Sequence, residues 1–190
     1  MPLLLLKDLP RYECLLEAAR EFPDLDPSAA EALLHLLRTS DEAYAVSSRN
    51  MGDHGISPGR FMVLMLLWHG DQIKAAAPAG TVTCACSPHT PAELADNCGV
   101  TRATMTGLID TLERDGFVKR EPDPVDRRMM SVRLTAKAEE FLHGFLPGHF
   151  RIHSAIMSAL SEAERKVLVR LLAKVQQQCA ALRSDPAAAT

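Results

Sequence analysis

A chain of 190 residues, 47% hydrophobic and 24% charged, has an ordinary globular composition and is long enough for one good core, or a small core with an arm that needs a partner, but not for two full-sized enzyme domains. Its net charge of −3 excludes a protein that coats nucleic acid indiscriminately, since such proteins carry a large cationic excess, so any affinity for a polyanion has to come from a local patch. With only 5% aromatic residues the core must rest on Leu, Ala, Val and Met.

The apolar run at residues 3–6 is cut by Lys7 and Asp8, too short for a signal-peptide core or a membrane span, so export is not expected. Five cysteines (Cys14, Cys84, Cys86, Cys98 and Cys179) are an odd, scattered set that suggests no secreted disulfide framework, and the expected compartment is the reducing cytoplasm. Residues 7–22 make a short amphipathic segment closed by Pro23, with Leu9, Tyr12, Leu15, Leu16 and Ala19 roughly on one face. Asp26-Pro27-Ser28 has the form of a helix start, and residues 29–51 keep apolar spacing until Gly52 and Gly55. Ser57-Pro58 opens a helix that runs through Phe61, Leu64, Met65, Leu67 and Trp68 to Gly70 and is apolar on nearly every side, so burial is expected. Residues 71–89 lose the periodicity and read as a loop or small insertion.

Thr90-Pro91-Ala92-Glu93 combines a capping residue, a first-turn proline and a glutamate three after the cap, which starts a helix that ends at Cys98-Gly99. Thr101 begins the next, with Met105, Leu108, Ile109 and Leu112 as its apolar stripe and Asp115-Gly116 as its end. Strand-like alternation at residues 117–121 and 129–134, joined by a polar link, predicts a hairpin. Thr135 caps a helix that Pro147-Gly148 should kink, and Ser161 starts a last one with a seam of Val167, Leu168, Leu171, Leu172 and Val175. The tail from Ser184 is expected to fray. The fold class is mainly α with a small β-hairpin wing.

Helix, glycine turn, helix and hairpin is the order of a winged helix-turn-helix. Its second helix presents N-terminal residues to base edges in the major groove of duplex DNA, and helix amide ends hold phosphates. Arg102, Ala103, Thr104, Thr106 and Gly107 fall opposite Met105, Ile109 and Leu112 and form the face available to DNA, with Arg102 suited to a bidentate contact with guanine. Thr90 and Thr101, at the two helix starts, complete the expected DNA-binding set on the helices. In the hairpin turn, Asp126 beside Arg127 and Arg128 reads as one arginine held by the carboxylate and one free to enter a narrow minor groove. Alone, such a turn reads equally as a solvated surface ion pair; directly after a helix-turn-helix, the DNA reading prevails. Across residues 117–137 six cations, Lys119, Arg120, Arg127, Arg128, Arg133 and Lys137, face three carboxylates, Glu121, Asp123 and Asp126.

Sensing residues are sparser. Cys84-Ala85-Cys86 with His89 would suit a soft metal such as Zn or Cu(I), or a redox switch with Cys98 or a partner's cysteine; the bland alternative is two small residues in a flexible loop. His149 and His153, four apart, have metal-ligand spacing, but histidines so placed are more often polar surface or dimer-interface residues. His54, Phe61, Met65 and Trp68 are either core or the lining of an effector pocket, and Cys14 and Cys179 read as buried or interface thiols. No glycine-rich phosphate loop, nucleophile elbow or zinc-protease motif accompanies them, so a small thiol or metal enzyme at Cys84, Cys86 and His89 is the weakest reading, behind a winged-helix module used only for protein contact. No catalysed reaction is expected.

The run Ile56-Ser57-Pro58-Gly59-Arg60-Phe61, the stretches 90–99 and 100–116, Asp123-Pro124-Val125-Asp126-Arg127-Arg128 and Leu134-Thr135 together resemble the MarR family of multiple-antibiotic-resistance-type regulators, over about residues 29–183. The wing signature is the most specific piece. The resemblance implies a homodimer with intertwined terminal helices that represses transcription at a near-palindromic operator, and release by a small phenolic or anionic effector, by thiol oxidation or by metal. It implies dimerisation-arm helices at residues 1–57, a DNA-binding lobe at 58–136 with an insertion at 71–89, and further dimerisation helices with a tail at 137–190. Long one-sided terminal helices fit, since one small lobe cannot bury their stripes. Three departures stand out: Gly107 replaces a residue that is basic in many members, the 71–89 stretch is long, and the N-terminal accessory helix occurs in only some.

Overall fold

The structure is a computed structural model that describes residues 8–76, 90–122 and 129–184. Among these, seven helices and one hairpin follow in order: α1 Tyr12–Glu21, α2 Pro27–Asp53, α3 Pro58–Ala76, α4 Pro91–Cys98, α5 Arg102–Arg114, β1 Val118–Pro122, β2 Met130–Leu134, α6 Ala136–Ile156 and α7 Glu162–Ser184. The starts follow local chemistry. Asp26 accepts hydrogen bonds from the backbone N–H groups of Ser28 and Ala29 at 2.9 and 3.1 Å and so caps α2, with Pro27 in the first turn. At α7 the start is reciprocal: the Ser161 N–H donates to Glu164 Oε2 and the Glu164 N–H to the Ser161 hydroxyl.

One boundary differs from the sequence reading. Helix α3 does not stop at Gly70 but continues to Ala76. One glycine inside a helix costs only about 1 kcal/mol, and Gly70 is buried, while the six residues after it contain no proline and end in two alanines. Pro147 lies inside α6 without ending it; lacking an N–H, it leaves the carbonyl four residues earlier, on His143, without its helical donor. By internal contacts the chain divides there into two units, Met1–Pro147 and Gly148–Thr190.

In the first unit one core joins α3, α4, α5, the hairpin and the first half of α6. Val63, Leu64 and Leu67 of α3, Leu94 and Ala95 of α4, and Met105, Ile109 and Leu112 of α5 meet Val118, Val132 and Leu134 of the hairpin and Ala138, Leu142 and Phe145 of α6. Met105, Ile109 and Leu112 recur at four and three residues, one face of a helix, and each is fully buried. Burying each such side chain contributes about 1.5–3 kcal/mol. The hairpin is antiparallel, pairing Val118 with Leu134, Arg120 with Val132 and Pro122 with Met130. Expected burial of α3 holds for Val63, Leu64 and Leu67 but not for Met62, which is exposed.

Elsewhere the helices are underburied. Helix α1 buries no residue and α2 only Met51, while Tyr12, Leu16, Leu33, Tyr44 and Val46 stay exposed on them. In the second unit α7 also buries none and exposes Val167, Val169, Leu171 and Val175. Cys14 and Cys179, expected to be buried or at an interface, are both exposed on the chain.

His149 is the exception in that unit, 2% exposed, its ring edge-on to His153 with centroids 4.2 Å apart. Burial, and secondarily the neighbouring His153, holds its pKa below the ordinary 6.5. The unfolded chain therefore takes up this proton first as pH falls. Stability is expected to be insensitive to this group above its unfolded pKa and to decline as pH drops from there toward the lower folded value. A urea titration from pH 7.5 to 5 checks it: His149→Gln should lose part of that acid-side decline, and an unchanged slope would remove His149 as its source.

Candidate nucleic-acid interface

The two helices of the motif are fixed by their ends. At α4, Thr90 and Glu93 cap each other: the Thr90 hydroxyl accepts from the Glu93 N–H at 3.2 Å and donates to Glu93 Oε2 at 2.8 Å, which also accepts from the Thr90 N–H at 3.0 Å. Thr90 is only 7% exposed. Its side chain is thus committed to starting α4 and is not presented outward, which changes the role expected for it. Gly99 adopts the left-handed conformation, φ 63°, and ends α4, with the Val100 N–H donating to the Ala95 carbonyl at 3.1 Å.

Thr101 then caps α5. Its hydroxyl accepts from the Thr104 N–H at 3.1 Å and lies 2.8 Å from the Thr104 hydroxyl. With Met105, Ile109 and Leu112 facing inward, Arg102, Ala103, Thr104, Thr106 and Gly107 are all exposed. The Thr106 hydroxyl donates to the Arg102 carbonyl at 2.9 Å but keeps acceptor capacity. A Cβ placed on Gly107 meets nothing within 4 Å among the described residues, none of which requires glycine there; a side chain would project from the exposed face.

The base of the wing is tied to this helix. Arg120 on β1 pairs with both Asp110 and Glu113 of α5, and its backbone N–H donates to Glu113 at 3.2 Å. Hydrogen bonding to Asp110 is the chief cause that raises its pKa further above the ordinary arginine range. Lys119 pairs with Glu121 on its own strand, and Lys137 donates to the Asp115 carbonyl at 2.7 Å. Lys119, Arg120 and Lys137 are therefore engaged inside the lobe, so the local charge available to a polyanion is smaller than the residue count suggests. Arg120→Met is expected to cost about 1 kcal/mol of stability, because the pairs are partly solvated, and to weaken DNA binding beyond that by freeing the wing from α5; urea denaturation alongside a DNA titration checks both. Asp126, Arg127 and Arg128 lie outside the described residues, as do Cys84, Cys86 and His89.

Beside the lobe is an open cavity of about 390 Å³ lined by His54, Phe117, Lys137, Glu140, Phe141, Gly144 and Phe145. Phe141 and Phe145 stack at 5.5 Å, Phe117 meets Phe141 edge-on at 5.3 Å, and His54 meets Phe145 edge-on at 4.9 Å. Of the four pocket residues expected from the sequence, only His54 is on this lining. Phe61 is 7% exposed and touches Phe145 edge-on, and Met65 and Trp68 pack partly buried against the core. Not foreseen are Phe117, Phe141, Phe145 and Lys137. The four-residue spacing of Phe141 and Phe145, one face of one helix, was the available signal.

Cys98 is half-buried, and burial pushes its thiol pKa up, away from the thiolate that a redox partner needs. Among the described residues no three His, Cys, Asp or Glu side chains gather as a metal site.

The MarR family model matches residues 85–130. The HTH-type transcriptional repressor YetL of Bacillus subtilis (strain 168) is 35% identical over 167 residues, 88% of this chain and 92% of that protein. Two solved structures share the fold. A MarR family protein from Bacillus stearothermophilus superposes with a TM-score of 0.59 at 22% identity, covering 82% of this chain and 98% of that one. Bordetella bronchiseptica BpsR, whose DNA binding is regulated by 6-hydroxynicotinic acid, gives 0.57 at 24% identity over 75% and 91%. With a helix-turn-helix, a wing tied to its second helix, and a relative this similar along nearly its whole length, the chain belongs to the MarR family of winged-helix transcription regulators.

Proposed function

We propose that this regulator is a homodimeric repressor that seats α5 of each copy in successive major grooves of a near-palindromic operator and is released by a small phenolic or anionic effector. The observation that carries the reading is the division of α5, with Met105, Ile109 and Leu112 sealed in the core and Arg102, Ala103, Thr104 and Thr106 exposed on the other side. Arg102 reads a base edge, Thr101 and Thr104 with the helix amides meet phosphate, and Arg127 and Arg128, with Asp126 orienting one of them, grip beside the groove. The unburied apolar faces of α1, α2 and α7 supply the dimer contact, so that residues 1–57 and 137–190 serve as the arm and 58–136 as the lobe. Dimerisation would set the two recognition helices about 34–36 Å apart. Phe117, Phe141, Phe145 and His54 with Lys137 make a cavity suited to a small aromatic anion, the chemical class that regulates BpsR. The protein works in the cytoplasm and catalyses no reaction; among the described residues no helix is long and apolar enough to cross a membrane.

The test is selection of duplexes by the pure full-length protein from a randomised library, followed by titration in increasing salt. Competitor-resistant enrichment of a palindrome is expected; none would leave a module used only for protein contact. Arg127→Ala with Arg128→Ala should weaken binding about three- to tenfold and reduce the slope against log salt by about 2. Unchanged affinity and slope would take the wing out of the interface.

A further inference from the structure

We infer that Lys137 is the positioning residue through which an occupied cavity alters the set of the recognition helix, an inference that rests on the cavity being the effector site. Helix α5 ends at Asp115, its C-cap, and that residue is held from two sides. Its carboxylate pairs with Arg60 of α3, and its carbonyl accepts a hydrogen bond from Nζ of Lys137 at 2.7 Å. The next two carbonyls, of Gly116 and Phe117, accept from the Thr135 hydroxyl at 2.7 and 3.2 Å. Arg60, Thr135 and Lys137 thus clamp the end of α5 and the turn into the wing. Of these three, Lys137 alone lines the cavity.

The same ammonium therefore stands between the Asp115 carbonyl and the cavity. Its Nζ stands 5.0 Å from the centroid of Phe117, a wall of the cavity, on an exposed and flexible stem. A carboxylate or phenolate bound among the phenylalanines competes with the Asp115 carbonyl for it, and an ionised acceptor forms the stronger bond. Once the ammonium turns to the ligand, the carbonyl end of α5 loses a cation placed where the helix dipole favours one. Arg60 does not replace it, being engaged by the Asp115 carboxylate with its guanidinium 6.0 Å from the centroid of Phe117. Ligand and operator then oppose each other through one side chain, and the coupling is reciprocal.

The test uses the full-length protein, the duplex it enriches, and benzoate and 6-hydroxynicotinate as probes, with Lys137→Met to remove the cation and Lys137→Arg to retain it. Saturating probe should weaken operator binding by the wild type about tenfold. Lys137→Met should be about fivefold weaker without probe, with only a small drop in urea midpoint, and shift less than about twofold when saturated. Lys137→Arg should recover the wild-type response. A Lys137→Met protein that binds probe by calorimetry and still responds tenfold overturns the relay and leaves the cavity as effector site. If neither probe binds the wild type, or binding leaves operator affinity unchanged, the cavity reading falls and the relay with it.

Discussion

Leu112→Ala is expected to lower folding stability by about 3 kcal/mol. Leu112 is fully buried in the last turn of α5, within the cluster that joins α3, the hairpin and α6. Its backbone carbonyl also accepts the Phe117 N–H at 2.8 Å, so the side chain anchors the point where the recognition helix turns into the wing. Truncation removes the transfer free energy of three carbons and leaves a cavity that helices held on several sides cannot close. Met62→Ala is the matched control: Met62 is 51% exposed on α3, and its loss should stay within about 0.5 kcal/mol. Urea unfolding of both variants decides the matter. Similar midpoints for the two would mean that α5 does not pack on this core. DNA affinity per folded molecule should change less than stability, since Leu112 faces away from the exposed side of α5.

Most of the lobe was legible because its elements carry local punctuation. Thr90 with Glu93, Gly99, Thr101 and the stripe of Met105, Ile109 and Leu112 each specify a helix start, stop or face within a few residues. What sequence alone did not yield is non-local. Gly70 reads as a stop because the buried environment that tolerates it is supplied by distant residues. Thr90 reads as available to DNA because its capping role and its burial coincide in one side chain. Arg120 and Lys137 read as part of a cationic patch, since their partners Asp110, Glu113 and the Asp115 carbonyl lie on another element or across the turn. The cavity was missed for the same reason: Phe117 and Phe141 are 24 positions apart in the chain yet meet ring to ring. Met65 and Trp68, near His54 in sequence, belong to the core.

Arg102→Ala is expected to weaken the selected operator by about 1–3 kcal/mol, roughly five- to 150-fold, for each half-site, while non-specific duplex binding falls far less. Arg102 is the first residue of α5, exposed, with no ion pair among the described residues. Its guanidinium thus pays little to leave its place, unlike Arg120, which two carboxylates already hold. The two arginines therefore separate reading from holding. Loss of a bidentate contact to guanine relaxes preference at one base pair of each half-site and changes the salt slope by at most about 1 per half-site, whereas loss of a phosphate contact weakens all duplexes alike. Repeating the library selection with Arg102→Ala distinguishes them. If every position keeps its preference while all duplexes bind equally more weakly, Arg102 holds the backbone, and base reading passes to Thr104, Thr106 and the open face at Gly107, where no Cβ shields the helix backbone from the groove.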